Sequence, residues 1–187
     1  MSDGCIFALG RYQPLTRGHE KVLRNMIKLA RSQSKTPIIY VSKGQYKSRA
    51  DKIKNPFTQN ERIKMMKQIF PNANVRAQIN NPVVTANSLK KPVSMCVGSN
   101  RVTAFRRMMN KYDHSVISGG TRNNGNALSG VSGTKLRGWA IKNNYNSYRK
   151  WVPQGFTNKQ VLEQMDTIRA RFPLPPSRKR KLDKIIN

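Results

Sequence analysis

The feature that most restricts this chain is an alternation of short apolar runs with longer segments of helical spacing. CIFALG (residues 5–10), PIIYVS (37–42), NVRAQI (74–79), VSMCVG (93–98) and HSVISG (114–119) have strand length and strand composition. Between the first two, residues 18–32 place Val22, Leu23, Met26, Ile27 and Ala30 at the spacing of one helix face. TQNE, Thr58–Glu61, is a capping-box signature; it opens a helix through Phe70 that Pro71 and Asn72 stop. Residues 83–91 read as helical, and residues 101–112 as a helix with Val102, Phe105, Met108 and Met109 inward. KLRGWAIKNN and NKQVLEQMDTIRARF read as the last two helices, and KGQYKSRADKIKNP as a basic polar loop. Strands that alternate with helices predict an α/β, Rossmann-like parallel sheet with helices on both faces. In such sheets ligands bind beyond the carboxyl ends of the strands. The loops Gly10–Gly18, Gly98–Arg101 and Ser118–Thr134 all follow strands and are expected on one rim.

We read one domain over residues 1–172 and a basic, mobile tail over 173–187, where PLPPSRKRKLDKIIN has too many prolines and charges to pack. There is no internal repeat. No apolar run has the length needed to cross a bilayer. MSDGCIFAL lacks the basic flank and the apolar length of a signal peptide, so a soluble, intracellular protein is expected. Cys5 and Cys96 fall in strands and read as reduced core thiols; with two histidines and no Cys/His cluster, no structural zinc site is expected. Lys and Arg number 36 against 8 Asp and Glu, a net charge of +28. That excess, spread along the chain, predicts polyanionic partners: nucleic acid, phosphorylated ligands or an anionic surface.

The segment GRYQPLTRGHE, Gly10–Glu20, sets two glycines, a proline and a histidine where the first strand hands over to the first helix. Gly10 and Gly18 permit a tight turn and close approach of a ligand to the backbone. The first-turn amides of the helix have no internal partners and sit at the positive end of its dipole, a natural phosphate site. Thr16 and His19 add donors.

GRYQPLTRGH resembles the first signature of the nucleotidyltransferase superfamily, G-x-F/Y-x-P-x-H/T-x-G-H, and its wording is similar to archaeal-type adenylyltransferases. VSGTKLR, Val131–Arg137, resembles the second signature, S/T-x-S/T-x-I/L-R, again at the start of a helix. IYVSKGQYKS, KNPFTQNERIKMMKQIFP, CVGSNRVTAFRRMMNKY and VPQGFTNKQVLEQMDTIRARF are similar to small cytidylyltransferase-like proteins of tailed phages and large DNA viruses. The resemblance covers residues 4–172. It implies the nucleotidyltransferase fold and the transfer of a nucleotidyl group from an NTP, ATP or CTP, to a phosphorylated small-molecule acceptor, with release of pyrophosphate. It implies catalytic roles for Thr16 and His19 at the α-phosphate and for Lys135 at the β,γ-phosphates. Gly10, Arg11, Gly18, Gly98, Arg101, Ser132, Thr134 and Arg137 would bind nucleotide. Mg2+ would ride on the nucleotide phosphates.

The viral relatives usually read GSDR where this chain has GSNR, with Asn100, and an Arg-Asp pair where it has Arg122 and Asn123. Both positions exchange a carboxylate for an amide. The alternative is therefore a catalytically impaired member of the fold that serves as a basic nucleic-acid-binding or virion-associated protein. SRKRK in the tail, with Arg178, Lys179, Arg180 and Lys181, reads as a solvated run, a nucleic-acid contact or a nuclear import signal. His114 reads as structural, and Tyr12, Tyr46, Trp139 and Trp151 as packing residues with no base-stacking role.

Overall fold

The computed structural model describes residues 4–44, 48–78, 81–112, 114–120 and 131–172. In chain order the elements are β1 (Cys5–Gly10), α1 (Arg17–Ser32), β2 (Thr36–Val41), α2 (Arg49–Lys54), α3 (Gln59–Ile69), β3 (Asn74–Ala77), α4 (Pro82–Asn87), β4 (Val93–Val97), α5 (Val102–Met109), β5 (Ser115–Ser118), α6 (Gly133–Ile141), α7 (Tyr145–Trp151) and α8 (Asn158–Arg171). The five apolar runs form one sheet in the order β3-β2-β1-β4-β5. Every pairing is parallel: Gly10 stands beside Val41, Ala8 beside Cys96, and Val97 beside Ser118.

Successive strand residues face opposite ways, so the central strands β1, β2 and β4 feed two cores. Ile6, Ala8, Ile39, Val41 and Cys96 pack on one side with α1, α3, α6, α7 and α8, through residues such as Leu23, Met66, Leu136, Tyr148 and Met165. Cys5, Phe7, Ile38, Tyr40, Met95 and Val97 pack on the other with α4 and α5. Burial on both sides explains why β1, β2 and β4 are nearly all apolar rather than alternating. Cys5 and Cys96 are free, buried thiols.

Local chemistry fixes the helix starts. The expected capping box Thr58/Glu61 opens α3, and Thr157/Gln160 opens α8 in the same way. A cap of this kind contributes about 1 kcal/mol.

Three expectations differ from the structure. The segment read as a basic loop contains α2, opened by a Ser48/Asp51 capping box. The interval before the last helix contains α7, capped by Asn144. Both helices are too short for their periodicity to register. Residues 101–112 are not one helix: 3-10 turns at Ser99–Arg101 and Asn110–Tyr112 flank α5. Tyr46, Arg122, Asn123 and the tail, with Arg178, Lys179, Arg180 and Lys181, lie outside the described residues. No helix among the described residues is long and apolar enough to cross a membrane.

Candidate functional site

β1 pairs with β2 on one side and β4 on the other, so the connections leaving the carboxyl ends diverge and a crevice opens between them. A cavity of about 380 Å³ fills that crevice. Its walls come from distant parts of the chain: Gly10–Gln13 after β1, Ser42 after β2, Gly98 and Arg101 after β4, and Val131–Thr134 with Arg137 at α6. His19 of α1 and Phe105 of α5 complete the lining, with Cys96 among the strand residues. Burial pushes the Cys96 thiol up to about 12, so it is a neutral wall rather than a nucleophile.

The loop after β1 is held on three sides. Gln13 makes a two-way clamp with the backbone of Phe57: its Nε2 donates to the Phe57 carbonyl at 2.6 Å, and its Oε1 accepts from the Phe57 amide at 3.0 Å. Arg62, only 2% exposed, donates from Nη1 to the Arg11 carbonyl at 2.6 Å and from Nε to the Thr58 carbonyl at 3.1 Å. From the second signature, Arg137 donates from Nη1 to the Gln13 carbonyl and from Nη2 to Thr134 Oγ1. Gly133 makes that approach possible, because a Cβ there would lie 2.5 Å from the Gln13 carbonyl oxygen. Gly10 has a packing role as well: a Cβ on it would meet Tyr12 Cζ at 2.5 Å, so the Tyr12 ring needs a glycine there. Tyr12 itself adopts a left-handed φ of 48°.

Thr16 and His19 lock together as the cap of α1. Thr16 Oγ1 accepts from the His19 amide at 3.2 Å, and His19 Nδ1 accepts from the Thr16 amide at 3.2 Å. With Nδ1 accepting, the neutral imidazole carries its proton on Nε2, as a donor. Tyr12 sets the ring from the side, edge-on at 5.3 Å between centroids.

The electrostatics of the cavity run one way. Arg11, Arg101 and Arg137 line it, and no carboxylate is among its described lining residues. Burial first, then the charge of Arg11, pushes the Arg137 pKa below its ordinary value. Two guanidinium groups that repel each other in a partly dry site favour an anion between them. Ser42 Oγ is shielded from solvent and has no hydrogen-bond partner among the described residues, so it is a polar group left for a ligand.

Of the residues singled out from the sequence, Gly10, Arg11, His19, Gly98, Arg101, Ser132, Thr134 and Arg137 are brought together at the cavity. Thr16, Gly18 and Lys135 are not in its lining. Thr16 is buried behind His19, Gly18 is buried in α1, and Lys135 Nζ sits 5.6 Å from the Trp139 ring centroid. Ser132 caps α6 by accepting from the Lys135 amide at 3.3 Å. His114 is buried against Asn87, its Nε2 at 2.7 Å from Oδ1, as expected of a structural residue. Gln13, Ser42, Arg62 and Phe105 were not found from the sequence. The one available signal was the polarity of Gln13 and Arg62 inside otherwise patterned segments.

A family model described as Cytidylyltransferase-like matches residues 7–138. No curated protein matches the chain. Among solved structures, the fold is similar to that of a bifunctional NMN adenylyltransferase/ADP ribose pyrophosphatase from Francisella tularensis, solved with AMP and a Mn ion. That likeness has a TM-score of 0.56 at 17% identity, over 92% of this chain and 52% of that one. It is also similar to Thermotoga maritima TmcAL, solved with alpha-thio ATP, with a TM-score of 0.55 at 10% identity over 89% of this chain and 55% of that one. The chain therefore spans about half the length of these two structures, and at such identities the likeness carries the fold.

Proposed function

We propose, from the premise that the chain belongs to the cytidylyltransferase-like family, that it transfers a nucleotidyl group from an NTP to a phosphorylated small molecule and releases pyrophosphate. One observation carries the reading: the two signature segments form facing walls of a single cationic cavity, tied by the Arg137 to Gln13 hydrogen bond. An oxygen of the acceptor phosphate attacks the α-phosphorus in line. The new P–O bond forms as the bond to the β-bridging oxygen breaks, and pyrophosphate leaves with that electron pair. The nucleophile is already ionised, so the protein's task is placement and charge stabilisation.

In this reading His19 donates from Nε2 to an α-phosphate oxygen, with Thr16 fixing its ring. Arg11 and Arg137 flank the phosphates, Ser132 and Thr134 offer hydroxyls, and Arg101 borders the pocket. Lys135 leaves its seat over Trp139 for the β,γ-phosphates. An exposed cation–π contact is worth about 0.5–1 kcal/mol, less than a charge-assisted phosphate bond. Magnesium arrives on the triphosphate as part of the substrate. The described residues include no group of His, Cys, Asp or Glu that could hold a metal of its own.

The test is a titration of ATP, CTP and inorganic triphosphate with magnesium at near-physiological salt, for the wild type, His19→Ala, Lys135→Ala and Arg137→Ala. Discrimination by base that the substitutions abolish supports the reading, and an acceptor screen for pyrophosphate release follows. Equal, salt-sensitive binding of all three ligands by every variant overturns it. That second outcome is what a basic nucleic-acid-binding protein on the same fold would give, a reading the +28 charge favours. It would take in the tail cations, and with them virion association, nuclear import and kinship with the small viral members.

A further inference from the structure

We infer that the acceptor is a phosphate ester with no positive charge on its body; the inference rests on the transferase reading above. It comes from where the carboxylates are. The chain has 8 acidic residues, and none of those described lines the cavity. Glu20 is bound by Arg24 at 2.7 Å on the surface of α1. Asp51 caps α2. Glu61 caps α3 and pairs with Arg171 at 2.6 Å. Glu163 is exposed on α8, and Asp166 pairs with Arg169 there. Asp3 and Asp113 lie outside the described residues. Asp183 belongs to the tail. The sequence between Gly120 and Val131, TRNNGNALSG, adds no acid.

A quaternary ammonium, an amine or a pyridinium in this cavity would therefore meet guanidinium groups and no counter-charge among the described lining residues. Aromatic rings can hold such heads, but the rings lining this cavity have other work. Tyr12 covers Gly10 and abuts His19, and Phe105 packs against the core beneath α5. An uncharged or anionic body fits the same surface, with Ser42 Oγ as a hydrogen-bonding group.

Two matched pairs of esters test this. Phosphocholine and 3,3-dimethylbutyl phosphate have the same shape and differ by nitrogen for carbon; glucosamine 6-phosphate and glucose 6-phosphate differ by an amine for a hydroxyl. Affinities are measured by calorimetry on the full chain with a non-hydrolysable NTP analogue present, and pyrophosphate release is followed separately with ATP and CTP. The uncharged member of each pair is expected to bind about tenfold tighter, or about 1.4 kcal/mol. Arg101→Gln and Arg11→Gln should each narrow that ratio several-fold, although they barely alter the net charge. Equal or reversed affinities overturn the inference, as does binding of none of the four at millimolar concentration. A ratio that both substitutions leave unchanged also overturns it, because the discrimination would then come from the overall field. Intact discrimination with no pyrophosphate release from any acceptor sinks the transferase reading and not the charge rule. Efficient release with the cationic esters does the reverse.

Discussion

Gly133 and Gly138 lie on the same short helix and should respond to alanine in opposite ways. A Cβ at Gly133 would lie 2.5 Å from the Gln13 carbonyl oxygen, 3.2 Å from its carbon and 3.3 Å from Arg137 Nη1. Non-bonded heavy atoms settle at about 3.5 Å, so the start of α6 and the loop after β1 must part by roughly 1 Å. The Arg137 to Gln13 hydrogen bond, 2.5 Å long, cannot survive that separation. Overpacking of this kind costs about 1–3 kcal/mol, and the helix gains at most about 1 kcal/mol from losing a glycine. The broken hydrogen bond adds about 1 kcal/mol, so the net loss is about 1–3 kcal/mol, a fall in Tm of roughly 2–12 °C for a chain of this size. At Gly138 a Cβ meets nothing within 4 Å. Gly138→Ala should therefore gain up to about 1 kcal/mol and raise Tm by about 2–4 °C. Scanning calorimetry reads both values, and titration with MgATP reads the site. Gly133→Ala is expected to lose at least about tenfold in affinity, or about 1.4 kcal/mol, and Gly138→Ala to keep its own. If Gly133→Ala melts at or above the wild-type temperature and binds MgATP equally well, the two signature segments are not coupled as described.

Glu61 should give stability a pH dependence of known sign. The Arg171 hydrogen bond, against some opposing desolvation, lowers its pKa from 4.5 to about 2. A depressed carboxylate pKa stabilises the fold above pH 4.5, and that contribution is lost as pH falls toward 2. The pair is well exposed, so after solvent screening we expect about 1 kcal/mol. Urea melts of wild type and Arg171→Met should differ by that amount at pH 7 and converge near pH 2; a constant gap refutes the assignment. Ser42→Ala should leave Tm unchanged or slightly raised, because it removes a hydroxyl with no partner, and should weaken ligand binding about three- to tenfold. A loss of more than about 1 kcal/mol in stability would instead assign that hydroxyl a structural role.

The central strands β1, β2 and β4 were legible because each is buried on both sides, and burial writes itself as an unbroken apolar run. The Thr58/Glu61 start was legible because a capping box is a local code. The helices α2 and α7 were not, since helices of 6 and 7 residues hold less than two full turns of pattern. At the site, the two signatures marked the segments that meet. What lay hidden was how they are fastened. Gln13 and Arg62 act on backbone groups 44 and 51 residues away, and a backbone carbonyl has no side-chain identity to read. The packing role of Gly10 was hidden too, because the Tyr12 ring folds back over it only through a left-handed turn that the sequence does not spell out.

The Arg137 to Gln13 bond spans 124 residues, and the Arg171 bond to Pro56 spans 115. A cavity closed by such distant segments is among the last features a folding chain can complete, because the intervening loop entropy is met before the contacts form. Ligand capture is then a reporter of finished folding. Early collapsed states that already hold β1 and β2 would lack the far wall. A ligand added during refolding should leave the first phases untouched and draw only the last species forward, by mass action on the completed fold.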